Sequence, residues 1–280
     1  MKVLKIIFMI LLIILVADII YIMSGQKKET ILTDSVALLK IEGVVLDSNE
    51  FIKTMDKYKN NHRVKAFIIQ INSPGGVIGP TQQIYRYLKD VKVPVYAAMD
   101  SVAASGGYYI AAACKKIYTL PGTLTGSIGV MLQLSNFKEL LDKIGINVTT
   151  IKSGRYKDIG SPYKDISDDE KMILQETIDD LYSQFINDIK DNRQIDNETL
   201  SQYADGRVFT GSKAVNLGFA DKIGTAEDAF NDLKKVLGNP NLKLYKHEKE
   251  KKIIEKLFDK LPFKVRSLLG DEKFYYLYSL

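Results

Sequence analysis

One serine stands among small, uncharged residues in the stretch SVAASGGYYIAAAC, which covers residues 101–114. Ser105 is followed by two glycines and then by an alanine-rich apolar segment that is typical of a buried helix. The backbone N–H groups at the start of a helix have no intrahelical partner and can stabilise a developing negative charge. This pattern predicts that Ser105 is a nucleophile that attacks a carbonyl group. The simpler alternative is that the Ser105 side chain only caps the helix.

A second glycine-rich turn, SPGG at residues 73–76, follows a nearly continuous apolar run at residues 64–72. Functional sites of open α/β sheets collect at the carboxyl ends of the strands, and the Ser105 turn also follows an apolar, strand-like run. We therefore expect the two turns to meet, with the N–H groups of Gly76 and Gly106 bound to an oxyanion. The alternative is that SPGG is only a chain reversal.

The group that accepts the serine proton is less clearly marked in the sequence. His62 lies in a polar turn and His247 in a charged run, and neither follows a strand or a glycine turn. A Ser-His-Asp triad is therefore disfavoured. A neutral lysine is the other option, and Lys157 follows a predicted strand within KSGRYKDIGSPY. Composition alone does not separate Lys157 from Lys152, so both remain candidates.

These turns need a scaffold, and strand-like and helix-like segments alternate along the chain. Such alternation predicts an α/β fold in which helices cover a largely parallel sheet. The predicted strands cover residues 36–45, 64–72, 93–99, 117–120, 127–132 and 146–154. The predicted helices cover residues 80–91, 106–114, 137–145, 168–192, 198–204, 211–217 and 225–236.

The composition is that of an ordinary globular protein, with 46% apolar and 26% charged residues among 280. The net charge of +5 comes from interspersed lysines and acids rather than from a sustained basic stripe, so no nucleic acid partner is predicted. The single cysteine, Cys114, excludes an intramolecular disulfide and is predicted to be a small buried residue. No Cys/His cluster has metal-ligand spacing, and neither a metal nor another cofactor is predicted.

The amino terminus predicts a membrane anchor at residues 1–25. Two lysines precede an apolar run from Ile6 to Met23, and a helix of that length reaches about 27 Å, close to the thickness of a bilayer core. The lysines favour a cytoplasmic amino terminus. We therefore expect a single-pass protein of the cell membrane, with residues 26–34 as a linker and the main domain outside the cytoplasm. The alternative is a cleaved signal peptide, although no clear A-x-A cleavage site follows the apolar run.

Five motifs in a fixed order carry a resemblance to a known family. They are INSPGG (71–76), DSVAASGGYYIAAAC (100–114), LTGSIGV (124–130), KSGRYKDIGSPY (152–163) and ADGRVFTGSKAVNLGFADKIG (204–224). Together they resemble the signal peptide peptidase A family in its short, single-domain bacterial form. The resemblance predicts a peptidase domain at residues 35–236, followed by a C-terminal helical extension and tail at residues 237–280.

The resemblance implies a Clp/crotonase-like fold of repeated β-β-α units and a serine protease that uses a Ser/Lys dyad. Ser105 aligns with the nucleophile of the family and Lys157 with its general base. Gly76 aligns with the oxyanion donor of the SPGG motif, and Ser127 aligns with a hydroxyl that orients the lysine.

The resemblance also implies peptide substrates, namely signal peptides left in the membrane after secretion, and a homo-oligomeric ring in which a neighbouring subunit can complete the dyad. The segment at residues 271–280 ends in aromatic and aliphatic residues, and it is either an amphipathic packing segment or a tail that docks in a substrate cleft. Two alternatives stay open. One is a catalytically silent, membrane-anchored scaffold that binds peptides, and the other is a crotonase-like enzyme that acts on acyl-CoA.

Overall fold

Residues 31–247 are described by the computed structural model of the chain. The predicted anchor at residues 1–25, most of the predicted linker and the segment at residues 271–280 lie outside the described residues. Within residues 31–247, no helix is both long enough and apolar enough to cross a membrane. The described part of the chain contains all five sequence motifs.

A mainly parallel sheet runs through the described residues. Its eight strands are β1 (Ser35–Glu42), β2 (Val64–Ser73), β3 (Val95–Ala104), β4 (Lys116–Thr119), β5 (Leu124–Gly126), β6 (Val208–Thr210), β7 (Lys222–Ile223) and β8 (Lys243–Lys246). Their order is β6-β5-β3-β2-β1-β8, with β4 paired to β3 and β7 paired to β4. Each of these pairs is parallel except β5 with β6.

Helices alternate with the strands along most of the described chain. They are α1 (Asn49–Lys59), α2 (Ile78–Lys89), α3 (Gly106–Ala112), α4 (Lys138–Lys143), α5 (Asp168–Lys190), α6 (Asn197–Tyr203), α7 (Gly211–Asn216) and α8 (Ala226–Val236). The long helix α5 begins with a capping box, in which the Ser167 hydroxyl accepts from the Glu170 N–H and the Glu170 carboxylate accepts from the Ser167 N–H.

Strand β2 lies between β1 and β3, and apolar residues cover both of its faces. Phe67, Ile69 and Ile71 belong to the larger hydrophobic core, whereas Ala66 and Ile68 belong to a smaller core. Successive side chains of a strand point to opposite faces of the sheet, so the two cores lie on either side of β2. A parallel strand that is covered on both faces is apolar almost throughout, which is why residues 64–72 lack polar alternation.

Strand β3 leads into the Ser105 turn, and its pairing changes along its length. Its first half pairs with β4 and its second half with β5. Between the two halves the register against β2 shifts, from Ile71 opposite Met99 to Ser73 opposite Ala103. The additional residues on β3 form a bulge, which bends the strand. The end of β3 is thereby placed between the end of β2 and β5.

The predicted helices and the first four predicted strands are present, with ends shifted by a few residues. The strands predicted at residues 127–132 and 146–154 are absent. Ile146, Val148 and Ile151 are exposed, so their alternating pattern does not mark a buried strand face within the described chain. Strand β8 lies in the segment where a C-terminal helical extension was predicted.

Candidate active site

Ser105 lies between β3 and α3 with φ 51° and ψ −122°, a backbone conformation that is uncommon for residues other than glycine. Its N–H donates to the Gly126 carbonyl at 2.8 Å, and its carbonyl accepts from the Tyr109 N–H at 2.9 Å. The Ser105 hydroxyl makes no capping hydrogen bond to α3, so the alternative of a purely capping serine is wrong. Among residues 31–247, no hydrogen bond holds this hydroxyl.

Two tyrosines that directly follow the glycines anchor α3. The Tyr108 hydroxyl donates to the Phe219 carbonyl at 3.0 Å, and the Tyr109 hydroxyl donates to the Asp188 carboxylate of α5. The Tyr109 ring also stacks on Tyr85 of α2, with ring centroids 4.6 Å apart. Burial raises the pKa of both hydroxyls, so they remain neutral donors. No role was predicted for these tyrosines from the sequence, although their position in the first turn of α3 is a usable signal.

The SPGG turn packs directly against the Ser105 turn. Gly75 has φ 104°, which glycine adopts without the strain that a side chain would cause. A Cβ atom at residue 75 would lie 2.7 Å from the Gly106 nitrogen and 2.9 Å from the Ser105 Cβ. The two turns approach each other this closely because Gly75 has no side chain. The structure therefore brings together the two turns that were expected to meet.

The N–H groups of Gly76 and Gly106, the two predicted oxyanion donors, lie in these two adjoining turns. The Val45 N–H donates to the Gly75 carbonyl at 2.8 Å and the Val45 carbonyl accepts from the Val77 N–H at 2.8 Å, which makes a parallel bridge between Val45 and Gly76. The residue between two such bonds turns its own N–H away from its partner, so the Gly76 N–H faces the β3 side of β2. Gly106 is the first residue of α3, where the backbone N–H has no intrahelical acceptor.

Ser127 lies next to the nucleophile turn on the β5 side. It has φ 49° and follows Gly126, which has φ 81°. Ala104 pairs with Gly126, and the Ser127 N–H donates to the Arg207 carbonyl at 2.8 Å. The half-buried Ser127 is thus one residue beyond the carbonyl that binds the backbone of Ser105. This position agrees with a hydroxyl that orients a third group near the nucleophile.

Lys157 lies in an exposed turn segment before α5. Among residues 31–247, no hydrogen bond or ion pair holds its ammonium group, and none links it to Ser105. Lys152 differs, because its ammonium contacts the Asp158 carboxylate at 2.5 Å and the Arg155 carbonyl at 2.8 Å. The Lys152 ammonium is thus held by an acidic partner, whereas a general base must be free to reach the serine hydroxyl. The geometry therefore favours Lys157 over Lys152.

An ion-pair network surrounds Asp158, the residue that follows Lys157. Lys152 and Lys164 contact the Asp158 carboxylate at 2.5 and 3.1 Å, and Lys164 also contacts Glu170 at 2.5 Å. Hydrogen bonds from Lys152 and then from Lys164 hold the pKa of Asp158 below its ordinary value. Glu170 is buried in the first turn of α5. The network therefore ties the Lys157 segment to the amino end of α5.

The other basic or nucleophilic candidates lie away from Ser105. His62 is exposed in the turn before β2, at the opposite end of that strand from SPGG. His247 follows the edge strand β8, with its Nδ1 2.8 Å from the Tyr58 hydroxyl. Cys114 is buried as predicted, and burial raises the pKa of its thiol to about 12. Within residues 31–247, no group of His, Cys, Asp and Glu side chains could hold a metal ion.

The segment at residues 131–151, here called the apolar arm, exposes many large apolar side chains. These exposed residues are Met131, Leu132, Leu134, Phe137, Leu140, Ile144, Ile146, Val148 and Ile151. A contiguous group of exposed apolar residues is typical of an interaction surface. The apolar arm leads directly into the segment that carries Lys157.

The fold and the two meeting turns define an α/β protein in which the predicted nucleophile, Ser105, lies at the carboxyl edge of the sheet. Residues 87–239, which are more than half of the chain, match the sequence profile of Peptidase family S49. Residues 26–131 match that of Clp protease. The chain therefore belongs to peptidase family S49, and the predicted relation to the signal peptide peptidase A family is confirmed.

Two curated relatives illustrate how far the similarity extends. A putative protease, slr0021 of Synechocystis sp., is 43% identical over 180 residues, which are 64% of this chain and 64% of that protein. A putative signal peptide peptidase SppA of Enterococcus faecium is 36% identical over 213 residues, which are 70% of this chain and 62% of that protein. The chain thus covers slightly less than two thirds of the length of each of these relatives.

A solved structure shares the fold. It is a point mutant of the 1510-N membrane-bound stomatin-specific protease, with a TM-score of 0.51 and 17% sequence identity. The likeness covers 78% of this chain and 99% of that chain. At this identity the likeness concerns the fold alone, and it agrees with the predicted α/β class.

Proposed function

We propose that the protein is a membrane-anchored serine endopeptidase in which Ser105 is the nucleophile and Lys157 is the general base. The observation that carries this proposal is the Ser105 turn, which leaves the Ser105 hydroxyl without a partner in the described chain and packs against the SPGG turn at Gly75. Membership of peptidase family S49 supports peptide bonds as the substrate. The match of residues 26–131 to Clp protease supports the repeated β-β-α units of a Clp/crotonase-like fold.

In the proposed reaction, neutral Lys157 takes the proton of the Ser105 hydroxyl while the serine Oγ attacks the carbonyl carbon of the peptide. The N–H groups of Gly76 and Gly106 bind the oxyanion of the tetrahedral intermediate. The lysine then gives its proton to the leaving amine as the C–N bond breaks. Water, deprotonated by the same lysine, hydrolyses the acyl-enzyme ester and restores the serine. In this proposal the Ser127 hydroxyl orients the lysine amine.

The apolar arm and the exposure of Lys157 support a homo-oligomeric ring in which this part of the chain packs on a neighbouring subunit. Such packing would remove water from the lysine, which favours the neutral amine that a base requires. In the ring, Lys157 serves the Ser105 of its own chain or that of a neighbour. A ring also limits access to the site to extended, unfolded peptides.

The proposed substrates are signal peptides that remain in the membrane after they have been cleaved from secreted proteins. The predicted anchor at residues 1–25 would hold the site close to such peptides and outside the cytoplasm. The name of the Enterococcus faecium relative, a putative signal peptide peptidase, supports this substrate class.

The test uses the full-length protein in detergent and a fluorophosphonate probe that reacts with activated serines. We expect the parent to be labelled, Ser105→Ala and Lys157→Ala to lose labelling, and Lys152→Ala to be labelled like the parent. Mass spectrometry of products from a set of signal peptides then identifies the cleaved bonds. A parent protein that is neither labelled nor able to cleave these peptides would contradict the proposal and favour the peptide-binding scaffold.

A further inference from the structure

Ser73, the first residue of SPGG, carries a buried hydroxyl that the proposed mechanism does not use. Its relative exposure is 0%. It is the last residue of β2 and lies opposite Ala103 of β3. Buried hydroxyl groups are nearly always hydrogen-bonded, so the partners of Ser73 indicate what this side chain does.

The Ser73 hydroxyl closes the turn that contains Gly75. Its oxygen accepts a hydrogen bond from the Gly75 N–H at 3.1 Å and lies 3.4 Å from the Gly75 carbonyl oxygen, to which it can donate. Pro74, between the two residues, has a fixed φ and no N–H group. The Ser73 hydroxyl therefore contacts both the N–H and the carbonyl group of Gly75, as serine side chains do in turns.

The conformation of Gly75 decides where the Gly76 N–H points. Gly75 has φ 104°, and its carbonyl accepts from the Val45 N–H at 2.8 Å. Gly76 follows directly, so a rotation at Gly75 turns the next N–H away from the nucleophile. The Ser73 hydroxyl is the side-chain group that restrains this rotation.

The backbone of Ser73 also contacts the nucleophile helix. A Cβ atom at Gly107 would lie 2.6 Å from the Ser73 carbonyl oxygen, so α3 packs against the end of β2 without an intervening side chain. Ser73 thus contacts the Gly75 turn through its hydroxyl and the start of α3 through its carbonyl. It lies at the junction of the two turns that supply the oxyanion donors.

We propose that Ser73 is a positioning residue, whose hydroxyl fixes Gly75 so that the Gly76 N–H points at the oxyanion. This inference rests on the proposed function, because it assumes that an oxyanion forms at Ser105. The Ser73 hydroxyl is hydrogen-bonded to Gly75 and acts on the proposed oxyanion site through that residue. It should therefore affect the transition state more than the binding of the peptide.

The structure offers a matched control at the other end of the sheet. Ser35, the first residue of β1, is also buried, and its hydroxyl donates to the Thr33 carbonyl at 2.8 Å. In both serines the hydroxyl therefore bonds to backbone two residues away. Because β1 and β2 are parallel, Ser35 lies at the amino edge of the sheet and Ser73 at the carboxyl edge. Ser35→Ala thus removes a similar hydrogen bond far from the candidate site.

The experiment compares Ser73→Ala and Ser35→Ala in the full-length protein. Removal of an oxyanion donor costs about 10²–10³-fold in kcat, so we expect a misaligned donor in Ser73→Ala to lower kcat by about 10- to 100-fold with KM within about threefold. The affinity of a peptide aldehyde, whose serine adduct places an oxygen in the oxyanion site, should fall by the same factor as kcat. Ser35→Ala should change neither quantity by more than about twofold.

Equal kcat values for Ser73→Ala and Ser35→Ala would overturn the inference, as would a loss that appears in KM alone. If Ser73→Ala does not fold, Ser73→Cys replaces it, because the thiol has similar size but is a weaker hydrogen-bonding group. The cysteine variant should then fall between the parent and the 10- to 100-fold loss expected for alanine, and parent-like kcat would count against the inference. Peptide cleavage that survives Ser105→Ala would refute the proposed function itself, a distinct result.

Discussion

Backbone hydrogen bonds and glycine contacts hold the Ser105 turn in place, whereas ion pairs between partly exposed lysines and less exposed carboxylates hold the segment around Lys157. The Gly75 backbone lies against the Ser105 Cβ, and the tyrosines of α3 are hydrogen-bonded to distant segments. The Lys157 segment instead depends on contacts of Asp158 with two lysines that remain accessible to water. Water reaches the lysines of these ion pairs, and ion pairs that water can reach contribute little to stability.

This difference separates the two halves of the proposed site. The proposed nucleophile and oxyanion donors lie in turns that contacts within the chain hold in place, and such preorganisation would lower the reorganisation needed in the transition state. The lysine side has an exposed base and an apolar arm without a described partner surface in this chain. Assembly with a neighbouring subunit would supply what the lysine side lacks.

Removal of the nucleophile should have the largest effect. We expect Ser105→Ala to lower kcat/KM by at least about 10³-fold. The unfolding free energy should change by less than about 1 kcal/mol, because the Ser105 hydroxyl makes no hydrogen bond in the described chain. Peptide hydrolysis and thermal denaturation measure the two quantities. Residual turnover close to that of the parent would exclude Ser105 as the nucleophile.

The two candidate lysines should differ strongly. Lys157→Ala should lower kcat/KM by about 10²–10⁴-fold, the usual range for loss of a general acid-base group. Lys152→Ala removes an ion pair near the surface and should change kcat/KM by less than about fivefold. Steady-state kinetics of both variants decide between them, and a larger effect at Lys152 would reverse the assignment.

A mixture of two inactive chains tests whether the lysine serves a neighbouring subunit. Co-expressed Ser105→Ala and Lys157→Ala chains should regain part of the parent activity, because some subunit contacts then combine an intact serine with an intact lysine. Each variant expressed alone is the control. No recovery in verified mixed oligomers would place both groups of the dyad in the same chain.

A smaller loss of activity is expected when the hydrogen bond that anchors α3 through Tyr109 is removed. Tyr109→Phe removes the hydrogen bond to Asp188 but keeps the ring that stacks on Tyr85. The unfolding free energy should fall by about 1–2 kcal/mol, and kcat should fall by less than about tenfold. Chemical denaturation and kinetics provide the two readouts. An unchanged unfolding free energy would show that this hydrogen bond does not anchor the helix.

The smallest change in unfolding free energy is expected for a substitution in the ion-pair network around Asp158. Asp158→Asn removes the charge that Lys152 and Lys164 share, and it should alter the unfolding free energy by less than about 0.5 kcal/mol. Hydrogen exchange of residues 152–164 should nevertheless become severalfold faster. Protection of this segment equal to the parent would contradict the role of the network.

Acid pH should have the same effect on hydrogen exchange in residues 152–164 as the Asp158→Asn substitution. The pKa of Asp158 is lowered by its lysine partners, so its contribution is present above the ordinary aspartate pKa of about 3.9. The contribution is lost as the pH falls through the lowered value. Exchange in residues 152–164, corrected for its intrinsic pH dependence, should therefore rise at acid pH in the parent and rise less in Asp158→Asn.

The strands and helices that could be predicted from the sequence are those whose apolar residues are buried within this chain. The apolar run at residues 64–72 is a strand because both faces of β2 are covered. The apolar pattern at residues 146–154 looks similar in sequence, but its side chains are exposed and no strand forms. An apolar sequence pattern predicts that its side chains pack against another apolar surface. It does not show whether that surface belongs to the same chain or to another one.

The candidate site shows the same division. The meeting of the Ser105 and SPGG turns could be predicted, because both follow parallel strands whose carboxyl ends share one edge. Spacing and composition alone did not separate Lys157 from Lys152, and only the family resemblance favoured Lys157, because the ion pair of Lys152 with Asp158 forms in three dimensions. The contact of Ser73 with Gly75 was also missed, since a serine before proline and glycine looks like any turn residue.

The burial of Cys114 has a consequence for the chemistry of the protein in an oxidising environment. Oxidants and alkylating reagents react with the thiolate, and a thiol with a pKa of about 12 forms almost none at neutral pH. The chain has no other cysteine. Cys114 of the folded protein should therefore resist thiol-directed reagents, and cysteines introduced on the apolar arm could be cross-linked between subunits without interference from it.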